Sequence, residues 1–322
     1  MLQRSSPLKS KIAILVGCTF LALLWIQTAA ASGDHLLRMP GATLLLGFGY
    51  VDDLVATTPT QAVRVLPAGN QPQTRSYPSP TFPSISRDGK LIACARLKSS
   101  SPQRVAIATY SIEKRSWVEY AEVDDVWALA ISPDNRKLAY VSNDVVGDSP
   151  LLHVLDMDSK LTNIFPAQIS VPSAISWSPD SDRITYQTDQ SPHDPNRFEP
   201  LINVADVKSG QTRVIGAGKY PSWSHSGEWI AYIDQLGQQA KLVHSDGSGE
   251  RTLATPPHNL WGVRGQFLFP PVWSPDSTQL LLNEVWDVET LQTDVLLFNA
   301  ATGKLEKKYG SRMAVLGWAE AR

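Results

Sequence analysis

Four aspartates recur two residues after a serine: Asp88, Asp134, Asp180 and Asp276 follow Ser86, Ser132, Ser178 and Ser274. Rows of carboxylates suit hard cations. These lie tens of residues apart, however, each in a Ser-Pro-Asp or Ser-Arg-Asp turn, where an aspartate accepts nearby backbone N–H groups. Four tryptophans, Trp177, Trp223, Trp273 and Trp318, stand one residue before Ser178, Ser224, Ser274 and Ala319. An aromatic row suggests a carbohydrate platform, but a fixed place in a repeat predicts packing between repeats. Asp156-Met157-Asp158-Ser159 starts like a calcium loop and lacks its later Gly and Glu. Thr302-Gly303-Lys304 ends like a phosphate loop, with Phe298 where the first Gly belongs. Both read as turns. Of 6 histidines, His193 draws attention, with Asp194 beside it in a long loop. A solvated loop histidine is the plain reading, with a ligand or acid/base role as the alternative. The chain has no His-Glu-x-x-His, Cys-x-x-Cys or Gly-x-Ser-x-Gly pattern. The sequence therefore assigns no catalytic residue, no metal ligand and no cofactor.

The elements that carry these residues are repeats. Ser132-Pro133-Asp134, preceded by an apolar run and followed by Leu138-Ala139-Tyr140, returns at Ser178, at Ser224 and at Ser274, and appears upstream at Ser86. The serines step by 46, 46, 46 and 50 residues, and a truncated sixth copy ends at Ala319. Each unit reads as four short strands, A to D, joined by tight turns, and four strands per ~45 residues is the signature of a β-propeller blade. The chain ends inside a sixth strand A. A lone inner strand would leave an open edge, so the N-terminal region should supply its partners: residues 42–46 as B, 61–66 as C and 73–77 as D. The predicted fold is all-β, a six-bladed propeller of four-stranded antiparallel blades over residues 32–322, closed by both ends of the chain.

The strand order puts A–B and C–D turns on one face, short and repetitive. The B–C and D–A loops share the other face and are long and varied. The 50-residue step places an insertion before strand A of the fifth unit. Insertions on one face of a repeat protein mark its binding face. That face is expected to present Asp124, Asp125, Trp127, His193, Arg197, Lys219, Tyr220, Trp261, Arg264, Phe267, Trp286 and Arg312, a mixture of aromatic and charged side chains of the kind that anchors interfaces.

The segments Trp177-Ser178-Pro179-Asp180, Trp273-Ser274-Pro275-Asp276 and Asp246-Gly247-Ser248-Gly249-Glu250-Arg251-Thr252-Leu253 resemble the propeller repeats of the TolB family. The resemblance covers about residues 42–322 and implies a protein-binding platform of the bacterial envelope. The stretch before Phe82 has no room for the separate α/β domain of TolB, nor for the hydrolase domain that the prolyl oligopeptidase family fuses to its propeller.

Residues 1–31 read as a leader. Arg4, Lys9 and Lys11 precede an apolar run over residues 12–26, and Ala29-Ala30-Ala31 follows, the order of a secretory signal. The run reaches about 22 Å as a helix, short of the ~30 Å hydrocarbon core. An uncleaved anchor and a lipoprotein built on Leu15-Val16-Gly17-Cys18 are the alternatives, and either would be the chain's only membrane contact. Removing the leader takes the net charge from −2 to −5 and leaves Cys94 as the remaining cysteine, in an apolar run that predicts a buried thiol. A hydrophobic content of 43% excludes a mostly disordered chain, and without a basic stretch there is no footprint for nucleic acid. The leading expectation is a non-enzymatic extracytoplasmic (periplasmic or secreted) platform for an envelope or extracellular protein or peptide. The alternatives are a propeller enzyme, lyase or hydrolase, working from polar groups at the channel mouth, and a glycan-binding module.

Overall fold

The computed structural model describes residues 42–47, 54–57, 62–64, 83–100, 103–143, 150–165, 174–190, 198–257, 259–260, 263–287, 292–311 and 314–320. Among them there is no helix, and the strands form six antiparallel sheets on a four-strand plan plus one small hairpin. Sheet 1 runs Ser84–Ile85, Leu91–Ser100, Gln103–Ser111 and Ser116–Val123. Sheet 2 runs Ala128–Ile131, Lys137–Asn143, Pro150–Asp156 and Thr162–Phe165. Sheet 3 runs Ile175–Trp177, Arg183–Gln190, Phe198–Asp206 and Thr212–Ala217, and sheet 4 Lys219–Trp223, Trp229–Ile233, Ala240–His244 and Arg251–Ala254. In sheet 5 strand A is split into Gln266–Phe267 and Val272–Trp273, both paired with Gln279–Asp287, and followed by Gln292–Asn299 and Leu305–Ser311. Sheet 6 takes Ala314–Glu320 from the C-terminal end and Ala42–Gly47, Leu54–Thr57 and Ala62–Arg64 from the other. The first strands of successive sheets neighbour one another in a closed cycle, sheet 6 meeting sheet 1. This is a β-propeller.

The expected closure by both chain ends is present: Ala42 pairs with Glu320 and Leu44 with Trp318. Its strand assignment needs correction. Strand C is Leu54–Thr57, and Ala62–Arg64, within the stretch expected as C, is strand D. The expected D stretch, residues 73–77, and the leader, 1–31, lie outside the described residues.

In sheet 2 the inner strands are covered on both faces, so they read as continuous apolar runs rather than alternating ones, and Ala128–Ile131 is buried throughout. Leu138, Ala139, Tyr140 and Val141 are all buried. Outer strands face water: in Thr162–Phe165 only the last residue is buried. Cys94 is buried in strand B of sheet 1, and burial pushes its thiol up to about 12, the behaviour of an inert small hydrophobe.

The repeated A–B turn is held by its own side chains. Ser132 Oγ accepts the Lys137 N–H (2.8 Å) and donates to Asp134 Oδ1 (2.6 Å), which accepts the Arg136 N–H (3.1 Å). The same bonds recur around Ser86 and Asp88, and around Ser274 and Asp276. The fourth turn residue is left-handed every time, at Gly89, Asn135, Ser181, Gly227 and Ser277. Glycine or asparagine is easy there; serine needs a reason. Ser181 Oγ accepts the Asp134 N–H of the preceding turn (3.2 Å), and Ser277 Oγ accepts that of Ser226 (2.9 Å). The strained serines tie one sheet's turn to the next.

These turns make stability acid-sensitive. In Asp276 the Ser274 hydroxyl and the Thr278 N–H hold the carboxyl below its usual value. Burial pushes Asp88 and Asp180 upward, but hydrogen bonds from Ser86 and Ser178 and from the turn backbone outweigh it, so both end lowered. A carboxyl lowered on folding stabilises the native state above its unfolded value and loses that contribution as pH falls through the folded value. Melting temperature should fall below about pH 4, and more shallowly in Asp276→Asn. Parallel pH profiles for the two proteins would refute the assignment.

Candidate functional site on the loop face and channel

Inner strands from all six sheets enclose a central cavity of about 220 Å³. Its wall is mostly small or apolar: Ser84, Ala130, Ser176, Ser222, Val272 and Gly317 share one repeat position. Among the described lining residues only Arg87 and His225 are ionisable, both in A–B turns and so at the turn-face end. His225 Nδ1 lies 3.0 Å from the Ser274 carbonyl.

The tryptophan row does what its spacing predicts. Trp177, Trp223 and Trp273 are 6%, 4% and 2% exposed. The Trp177 indole N–H donates to Ala130 O (3.1 Å) and that of Trp273 to Ser222 O (3.0 Å), each reaching the preceding sheet. The first residue of the preceding strand B covers the ring: Lys137 lies 6.0 Å from the Trp177 centroid and Arg183 4.9 Å from that of Trp223. Where Ile131 replaces the tryptophan, the matching residue is Leu91. For Trp273 it is Trp229, so the cation is present in two of the contacts, where the ring's quadrupole attracts it.

The expected binding face is the end from which each strand A begins. The structure gathers Lys219 and Tyr220 there, at the start of sheet 4. The Lys219 ammonium lies 5.7 Å from the Tyr220 ring, and burial lowers its pKa against the opposing pull of Asp234. Burial pushes the Tyr220 phenol up to about 12. Tyr220 has a φ of 57°, and its N–H donates to Gln187 Oε1 of sheet 3 (3.1 Å). A left-handed bulky residue is a strained backbone fixed by its neighbours. Beside it, the Asp234–Gln239 turn presents Leu236, 68% exposed. Asp234 Oδ1 accepts the N–H groups of Gln238 (2.6 Å) and Gln239 (2.9 Å), and Gly237 O accepts that of Phe267 (2.8 Å). The leucine is thus carried on a rigid tip.

The insertion forms a hairpin of its own, Asn259–Leu260 paired with Val263–Arg264. Arg264 lies on its second strand, next to this sector. Asp124, Asp125 and Trp127 stand apart, in the connection from sheet 1 to sheet 2. Asp124 is paired with Arg104 at 2.5 Å, Ser142 Oγ lies 3.5 Å from Asp125 Oδ1, and Trp127 is half-buried against the core between sheets 2 and 3. Two expectations are corrected. Phe267 is 0% exposed; it pairs with Glu284 in the strand-A extension and packs in the core between sheets 4 and 5, so it meets no partner. Trp286 sits not in a loop but on strand Gln279–Asp287, at a register shift between Val285 and Asp287. His193, Arg197, Trp261 and Arg312 lie outside the described residues. Leu236 is absent from the sequence-derived set, since it occupies a short B–C connection and that reading followed loop length.

No family model matches the chain, and no curated protein matches it in sequence. Solved structures do. TolB from Acinetobacter baumannii superposes with a TM-score of 0.60 at 15% identity, over 86% of this chain and 66% of that one. The fold is that of a TolB-like β-propeller. A structure titled as a nidogen/laminin complex matches this propeller with a TM-score of 0.57 at 10% identity, over 86% of this chain and 96% of that one. Oligogalacturonate lyase from Vibrio parahaemolyticus matches with a TM-score of 0.51 at 8% identity, over 76% and 71%. At such identities these likenesses establish the propeller fold alone. Against TolB, this propeller spans slightly under two thirds of the chain.

Proposed function

We propose that the chain is a non-enzymatic extracytoplasmic propeller that binds a protein or peptide over its loop face. Leu236 carries the reading. An exposed leucine on a hydrogen-bonded tip, beside strained Tyr220 and an inserted hairpin, is an apolar anchor held ready at little entropic cost. The basic, apolar and Ala-x-Ala order of residues 1–31 supports export. The channel wall supports binding over acid/base chemistry, since its described lining is mostly small or apolar and carries no carboxylate.

The test is affinity capture with residues 32–322 as bait, alongside a Leu236→Asp, Trp261→Ala bait and a turn-face Glu113→Ala bait. The same protein retained by the first and third baits and at least tenfold depleted on the second is the expected result. Equal retention on all three would move the site off this face.

A further inference from the structure

The channel has a chemistry that its side chains conceal, because much of its wall is backbone. The turn serines donate their N–H groups outward to strand B: Ser86 to Leu91 O, Ser132 to Lys137 O and Ser178 to Arg183 O at 2.9 Å, Ser224 to Trp229 O at 2.8 Å and Ser274 to Gln279 O at 2.9 Å. In a planar trans peptide the preceding carbonyl points the opposite way. The carbonyls of Ile85, Ile131, Trp177, Trp223 and Trp273 therefore face the inner edge of their sheets, where these residues line the cavity. Two residues earlier the same alternation applies, since Ser84, Ala130, Ser176, Ser222 and Val272 pair with strand B in the same register. The carbonyls of Pro83, Leu129, Ile175, Pro221 and Pro271 make a second inward level, about 7 Å nearer the loop face.

Half of the matching donors are removed. Pro83, Pro221 and Pro271 have no N–H. At the other level the Ile131 N–H is taken by Ser84 Oγ (3.2 Å) and that of Trp223 by Ser176 Oγ (2.9 Å). Acceptors thus outnumber open donors around the cavity, and a ring of carbonyl oxygens favours a cation. Shape narrows the class. The cavity, about 220 Å³, is many times what a single water or bare ion needs. A bare metal ion needs its oxygens drawn in to about 2.0–2.6 Å, and carbonyls fixed on separate sheets around such a space are not drawn in. An ammonium on an alkyl stem fits better: its methylenes meet the apolar wall, and its three donors meet the carbonyls. Arg87 at the turn-face end repels a cation from that side, so entry is from the loop face.

We propose that the channel receives a lysine side chain presented by the partner, a refinement that rests on the loop-face reading. Titration calorimetry on the protein tests it with Nα-acetyl-lysine amide, Nα-acetyl-norleucine amide, Nα-acetyl-arginine amide and calcium chloride. Saturable binding of the lysine probe, at least tenfold tighter than the norleucine and arginine probes and unaffected by calcium, is expected. Pro221→Ala with Pro271→Ala returns two N–H groups to the ring and should weaken the lysine probe about tenfold. Pro83→Ala alone serves if the double variant does not fold. Absence of saturable lysine binding, parity with norleucine, preference for arginine, displacement by calcium, or indifference to the proline substitutions would each overturn the proposal. None of these outcomes touches the Leu236 capture result, so the two readings fail separately.

Discussion

Removal of residues 314–322 is expected to abolish cooperative folding of the monomer. Ala314–Glu320 is the innermost strand of sheet 6, paired with Ala42–Gly47. Without it that strand becomes an open edge, ready to pair with another chain. The neighbouring sheet loses as well. Asn283, 1% exposed, uses its amide on the closing strand's backbone: Nδ2 donates to Val315 O (3.1 Å), and Oδ1 accepts the Val315 N–H (2.8 Å). Two buried polar atoms are left stranded, at about 1–3 kcal/mol each. The other neighbour loses Gly317, which lies so close to Ile85 that an added Cβ would stand 2.8 Å from Ile85 Cγ2. Size-exclusion chromatography and thermal melting of the truncated protein should show oligomers or a melting point at least about 7 °C lower, about 4 kcal/mol or more for a domain of this size. Restoration on adding a peptide of residues 312–322 would establish strand exchange as the cause. A truncated monomer with unchanged melting would mean that the ring is not held by this strand.

The second large effect belongs to Trp273. Truncation to alanine removes a side chain 2% exposed, packed between sheets 4 and 5, together with the indole bond to Ser222 O. Buried aromatic truncations cost about 3–5 kcal/mol, so the melting point should drop by about 5–8 °C. Trp117 is the control. It lies on the outer strand Ser116–Val123, half-buried, with Arg96 4.6 Å from its ring and Tyr110 5.0 Å away. Trp117→Ala should cost about 1–2 kcal/mol, in keeping with its partial burial. Trp273→Phe separates packing from the hydrogen bond and should cost about 1 kcal/mol from the lost N–H, plus the smaller ring. If Trp273→Ala and Trp117→Ala melted alike, the tryptophan row would not be the joint between sheets.

The repeat was legible because its causes are local. A serine that caps its own turn, an aspartate two residues on and a left-handed residue after that must be close in sequence to bond at all. The tryptophan position was legible for a related reason: every sheet meets the next in the same way, so one interface is written several times. Legibility ended where the period broke. Phe267 lies in the longer step, where an aromatic beside a Pro-rich stretch reads as loop; its strand-A extension is visible only once Glu284 is seen opposite. Leu236 was passed over because a short connection leaves no mark of function, and its exposure depends on what the neighbouring sheet leaves uncovered.

The sequence by itself determined the four-strand unit, its turn chemistry, its packing aromatic and the need for both ends of the chain to close the ring. Tertiary structure decided which N-terminal strands fill the last sheet, which loop-face residues reach solvent, and that proline and serine leave the channel rich in carbonyls. The division follows from range. Turns and strand alternation are fixed within a few residues. Burial and the direction of an inner-edge carbonyl are fixed by sheets that the chain brings together only when the ring closes.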